Sequence, residues 1–165
     1  MLKDSRVIVN EPAIDGHTPL WWAATWGNLD AIKWWIASGR EMDLGEPGDV
    51  DKTDAIGTLL ERFKDNPGVT RHALRVEIGW YDEVAAEMFA LVVFVSDGLL
   101  QIRDTASSPP AARFFKIARK LPLELQMMLC FRQVGSDKEI IPGKESEVAF
   151  KELVKWLLWS SLFTN

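Results

Sequence analysis

The feature that most constrains this chain is a pair of short helix signals within residues 18–38. Thr18 can accept a hydrogen bond from the free amides of a first turn. Pro19 suits the first helical position, where a missing N–H costs nothing. Leu20, Ala23 and Ala24 then fall on one face, Gly27 stops the helix, and Asn28 caps a second one. Leu29, Ile32, Trp35 and Ile36 recur at helical spacing until Gly39 ends the run. Two helices this short, joined by a tight Gly-Asn turn, cannot bury their apolar faces alone. They need neighbours.

The rest of the chain offers them. Residues 40–52 carry Gly45, Pro47 and Gly48 among the acids Glu41, Asp43, Glu46, Asp49 and Asp51, and read as an exposed loop. Asn66-Pro67 starts a helix that reaches about Ile78 and stops at Gly79. Asp82 is read as the cap of a long helix whose centre, residues 88–95, is apolar on every side and should form the core spine. Glu87 and Asp97 bracket that run well short of the roughly 20 residues a membrane span needs.

Ser107-Ser108-Pro109-Pro110 opens a helix through Lys120, with Phe114, Ile117, Ala118 and Leu121 as its inner stripe and Arg113, Lys116, Arg119 and Lys120 outside. Pro122 opens the next, with Leu125, Met128 and Leu129 inward. Ser146 caps the last, where Val148, Phe150, Leu153, Val154, Leu157 and Leu158 mark a buried stripe. Arg6 to Asn10 is the best strand candidate and a weak one. The expected class is all-α, with a helical hairpin packed on a C-terminal helical bundle. At 165 residues the chain can bury a core without disulfides.

Asp15-Gly16-His17-Thr18-Pro19-Leu20, Ala23-Ala24, Gly27-Asn28-Leu29, Ile32, Trp35-Ile36 and Gly39 together resemble the ankyrin repeat over one full unit. The match departs at Trp21, where the family usually has His, and at Trp34-Trp35-Ile36, where smaller aliphatics are usual. Lys52-Thr53-Asp54-Ala55-Ile56-Gly57 is similar to the opening of a second repeat, and residues 58–63 to its second helix. About ten residues are missing against the usual length of about 33. Val7-Ile8-Val9-Asn10 resembles the tail of an earlier repeat. With the loop at 41–50 and the helical C-terminal part, the chain is similar to uncharacterised ankyrin-repeat proteins of microbial eukaryotes.

The resemblance implies a repeat region over residues 1–65, its second repeat degenerate, and a helical domain over 66–165. It implies a non-catalytic protein–protein interaction module with Trp21, Trp34 and Trp35 buried. Ile14, Asp15, His17, Thr25 and Trp26 match the family's variable, partner-facing positions. The partner is expected to be another protein, its identity and the oligomeric state left open. Leu121-Pro122-Leu123-Glu124-Leu125 is similar to the opening of an F-box, so an alternative is a ubiquitin-ligase substrate adaptor acting through residues 121–131.

The formal charge of −5 is offset by no run of Lys and Arg, which argues against a nucleic-acid footprint. The one cysteine, Cys130, cannot pair within the chain, and the first ten residues lack an apolar core. Both features suit an intracellular, cytoplasmic protein. His17 and His72 lie in separate elements, and no HExxH, CxxC or glycine-rich phosphate loop is present, so no metal or cofactor is expected.

Cys130, between Leu129 and Phe131, reads as an inert core thiol. Glu83 and Glu87, four apart, could form an acid–base pair but read as a solvated stripe. Arg113, Lys116 and Lys120 could meet an acidic partner and read as a solvated face. The chain is expected not to be an enzyme.

Overall fold

A computed structural model describes residues 8–41, 43, 54–102 and 110–162. It divides into two compact units, residues 1–78 and 79–165. The described residues form eight helices and no strand, so the protein is all-α. None of these helices is long and apolar enough to cross a membrane. Most of the expected acidic loop and the Lys52-Thr53 and Ser107–Pro109 signals lie outside the described residues, as do Arg6 and Val7. Residues 8–10 are not strand.

The first unit holds α1 (Pro19–Thr25), α2 (Leu29–Ser38), α3 (Ala55–Asp65) and α4 (Pro67–Glu77). The cap signals act as their chemistry dictates. Thr18 Oγ1 accepts the Trp21 amide at 3.2 Å, and Asn28 Oδ1 accepts the Ala31 amide at 3.1 Å. Gly39 closes α2 at φ 74°, a left-handed turn that costs a glycine nothing. Leu20, Ala24, Ile32, Trp35 and Ile36 bury against Ile56, Leu59 and Leu74.

The segment at 58–63 is part of a longer helix. Asp54 Oδ1 accepts the Gly57 amide at 2.6 Å, which sets the helix start before Ile56. Trp35 is buried, whereas Trp21 and Trp34 are only half-buried, since indoles of that size outgrow the thin layer these short helices make.

The first unit runs through Ile78, and α4 reaches the ends of the helices before it. Thr70 Oγ1 donates to the Arg62 carbonyl of α3 at 2.9 Å. Arg71 Nε and Arg75 Nε donate to the Ile36 and Ala37 carbonyls of α2 at 3.0 and 2.7 Å. The Arg62 and Ile36 carbonyls already accept the Asn66 and Gly39 amides at 3.1 and 3.3 Å, so the side-chain donors add a second bond at these helix ends. The Arg71 guanidinium also lies 5.6 Å over the Phe63 ring, and Lys33 pairs with Glu77 at 2.5 Å.

The second unit is built on α5 (Trp80–Ser96), which packs against α6 (Pro110–Ala118), α7 (Leu123–Val134) and α8 (Gly143–Leu162). Ala85, Ala86, Phe89, Ala90 and Val92 of α5 are buried together with Ala118, Cys130, Phe131, Ile141 and Ala149. The apolar run is the spine its composition predicts.

Several boundaries and stripes differ from expectation. Gly79, at φ 70°, precedes α5, so Asp82 lies in the first turn, where it binds Lys138 Nζ at 2.6 Å instead of capping. In α6, Ala112 and Ala118 are buried with Phe114 and Phe115 packed beside them, while Ile117 is exposed. In α7, Gln126, Cys130 and Phe131 face the core and Leu125 is 45% exposed. α8 begins at Gly143, three residues before the expected Ser146 cap, whose hydroxyl instead donates to the Gly143 carbonyl at 3.0 Å. Its inner face is Ala149 with Phe150 and Leu153, leaving Val148, Val154 and Leu158 exposed. Small alanines let helices approach closely, so they mark contact faces that a search for large apolar side chains passes over.

Candidate functional site

The five positions expected to face a partner flank α1: Ile14, Asp15 and His17 precede it, and Thr25 and Trp26 end it. Ile14 and Asp15 form a tight turn closed by the Gly16 amide on the Ala13 carbonyl at 2.9 Å and the Ala13 amide on the His17 carbonyl at 3.0 Å. Gly16 sits there at φ 82°, where a side chain would be strained. The turn leaves Ile14 fully exposed.

Asp15 Oδ1 accepts the His17 amide at 3.1 Å and lies 3.5 Å from His17 Nδ1. That backbone hydrogen bond holds the Asp15 carboxyl below its ordinary pKa. The base of the turn is tied to the segment after α2. Asn10 Nδ2 donates to the Glu41 carbonyl at 3.2 Å and Asn10 Oδ1 accepts the Asp43 amide at 3.0 Å. The Thr18 hydroxyl donates to the Asp43 carbonyl at 2.7 Å.

From the turn an aromatic run continues along α1. The His17 ring stacks on Trp21 with centroids 3.7 Å apart. Trp21 meets Trp22 edge to face at 4.9 Å, and Trp22 meets Trp26 at 5.2 Å. These last two are the edge-to-face arrangements aromatic pairs prefer. The spacing of Trp22 and Trp26, four apart on a helix, makes their contact inevitable. Trp26 ends the run with 76% of its surface exposed. Thr25 is exposed too, but its hydroxyl donates back to the Trp21 carbonyl at 2.9 Å. Trp22, half-buried between its neighbours, was not among the expected contact residues; its i, i+4 relation to Trp26 is the signal that identifies it.

An aromatic surface of this kind binds apolar or cationic groups. Among the described residues no three of His, Cys, Asp and Glu gather to hold a metal. Cys130 is wholly buried, and burial pushes its thiol up to about 12, far from the thiolate that reactivity requires. Glu87 is exposed and Glu83 half-buried on α5. Arg113 and Lys120 are exposed while Lys116 is half-buried. In the segment at 121–131, Leu121 is half-buried, Leu123 and Leu125 are exposed, and Cys130 and Phe131 belong to the core.

No protein-family model matches the chain, and no curated protein or solved structure matches it.

Proposed function

We propose that the protein is a non-catalytic protein–protein interaction module of ankyrin-repeat type. In this reading the Ile14–Asp15 turn and the α1 face of the first unit meet another protein. The observation that carries it is Trp26, a large side chain left in water at the end of a run of rings that holds it in place. Tryptophan buries much area on binding and still carries an N–H donor, which is why it dominates interface energetics. A ring already fixed by Trp22 loses little freedom when a partner covers it. The repeat-like spacing of residues 15–39 is what supports the ankyrin reading.

The test is affinity purification from the native cell with mass spectrometry, comparing the wild-type chain with Trp26→Ala and Ile14→Arg. A partner recovered by the wild type and lost from both variants, at unchanged melting temperature, supports the reading. Variants that recover every wild-type partner overturn it.

A second reading, a ubiquitin-ligase substrate adaptor, is favoured by one observation. Leu123 and Leu125 project into solvent beside Pro122, where a scaffold protein could cover them. A pull-down that returns a ligase scaffold, lost on Leu121→Ala with Leu125→Ala while helicity persists, would select it.

A further inference from the structure

We propose that the last turns of α8 seat the protein on a lipid surface, entering the headgroup region of a bilayer without crossing it. Ala149, Phe150 and Leu153 of this helix pack in the core of the second unit. Beyond Leu153 the apolar side chains turn outward. Trp156 is 62% exposed, Leu158 60% and Trp159 67%, and Val154 is exposed beside them. At about 100° per residue these four spread over about 200° of the helix circumference. Leu157, half-buried, faces the remaining side.

Charge stops where this surface begins. Residues 156–165 include no charged side chain. In the turns before them, Lys151 Nζ meets Glu147 at 2.5 Å and Lys155 Nζ meets Glu152 at 2.6 Å, so the approach to the apolar turns is electrically balanced. At about 1.5 Å per residue, residues 154–162 span about 14 Å. That length reaches the roughly 5–10 Å depth of interfacial helices and falls far short of a hydrocarbon core about 30 Å thick.

These properties select among coverings. A protein groove, or the same helix of a second copy, covers one side of a helix and leaves the other apolar sides in water. Lipid surrounds it. Tryptophan is favoured at the headgroup level, where its ring leaves water and its N–H still finds an acceptor. Trp156 and Trp159 lie three apart, just past Lys155, whose stem can reach back to water from that depth. Because the neighbouring charges cancel, the attraction is apolar, and anionic lipid adds little to it. This surface lies in the second unit and makes no use of Trp26, so it stands apart from the interaction face on α1.

Flotation of the full chain with phosphatidylcholine vesicles tests the assignment. The wild type should float with them, whether or not phosphatidylserine is mixed in, and at low and high salt alike. Trp156→Glu with Trp159→Glu should lower the floated fraction at least tenfold at unchanged helicity and melting temperature. If that variant misfolds, Trp156→Ser with Trp159→Ser serves in its place. Trp26→Ala should float as the wild type does. Brominated phosphatidylcholine should quench the wild-type fluorescence, and Trp156→Phe with Trp159→Phe should remove most of that quenching. A wild type that fails to float, or floats only with phosphatidylserine, overturns the proposal. So does undiminished flotation of the Glu or Ser variant, quenching retained by the Phe variant, or flotation lost in Trp26→Ala. Self-association through these turns by a chain that stays off the vesicles would make a second copy the occupant, and overturns it too.

Discussion

The two units solve the same problem with different means. The second wraps α6, α7 and α8 around one helix that is apolar through its centre, and its core consists of Ala, Val, Phe, Ile141 and the Cys130 thiol. The described residues of the first form four helices of 7 to 11 residues, none of them such a spine. Its apolar core is joined by polar side chains that reach from one helix to the carbonyl ends of another. Short helices offer little area to bury and a large share of unpaired end groups. Where area is scarce, finishing the ends becomes a principal source of order.

This contrast makes its sharpest claim about truncation of buried side chains. Phe131→Ala should destabilise the second unit by about 3–5 kcal/mol, and Ile32→Ala the first by about 2–5 kcal/mol, because both side chains are wholly buried. Five of the eight tryptophans lie between residues 21 and 35, so fluorescence-detected urea unfolding weights the first unit, while circular dichroism reports both. A Phe131→Ala loss seen equally by fluorescence would show that the units unfold as one.

Arg75→Met tests the end-group contribution. It removes the donor to the Ala37 carbonyl and keeps most of the apolar stem, and should cost about 1–2 kcal/mol, toward the lower part of the range for charged hydrogen bonds since the site is only part-buried. No measurable loss in urea unfolding would mean that water replaces the guanidinium there and that the first unit stands on its core alone. Thr18→Ala should cost about 1 kcal/mol, the usual loss of an N-cap.

Trp26→Ala should shift stability least, by under about 1 kcal/mol, as a change at an exposed site. A large drop in melting temperature would instead make Trp26 a structural residue.

Cys130 provides a readout of the second unit alone. Its thiol is neutral when buried, with the folded value near 12 against an ordinary value of 9.0. Unfolding above pH 9 therefore releases a proton. The associated stability is complete below that pH and is lost as pH rises through the window to about 12. At pH 8 a thiol reagent should label Cys130 only at the rate at which the second unit opens. Rapid labelling of the native protein would contradict its burial.

Much of this was legible in the residues. Thr18, Asn28 and Gly39 fix the ends of α1 and α2 through local chemistry that needs no tertiary context. The apolar run at 88–95 could only be buried. What escaped depends on contacts distant in sequence. Gln126 faces inward because Ser96 and the Leu121 carbonyl receive its amide, which no periodicity reveals. Leu125, Val148 and Val154 look like core in a pattern of large apolar residues, yet the close approach is made by Ala118 and Ala149. Trp26 could be placed on the surface from its position in the repeat-like spacing.

The reach of Arg71 and Arg75 to the end of α2 bears on where this chain can be cut. A fragment ending after Asp65 would keep every residue of the ankyrin-like spacing and still lose the two guanidinium groups that cover its Ile36 and Ala37 carbonyls. Leu74 would go with them, uncovering Ile32 and Ile36. Donors borrowed from downstream thus help complete the first unit, which runs through Ile78.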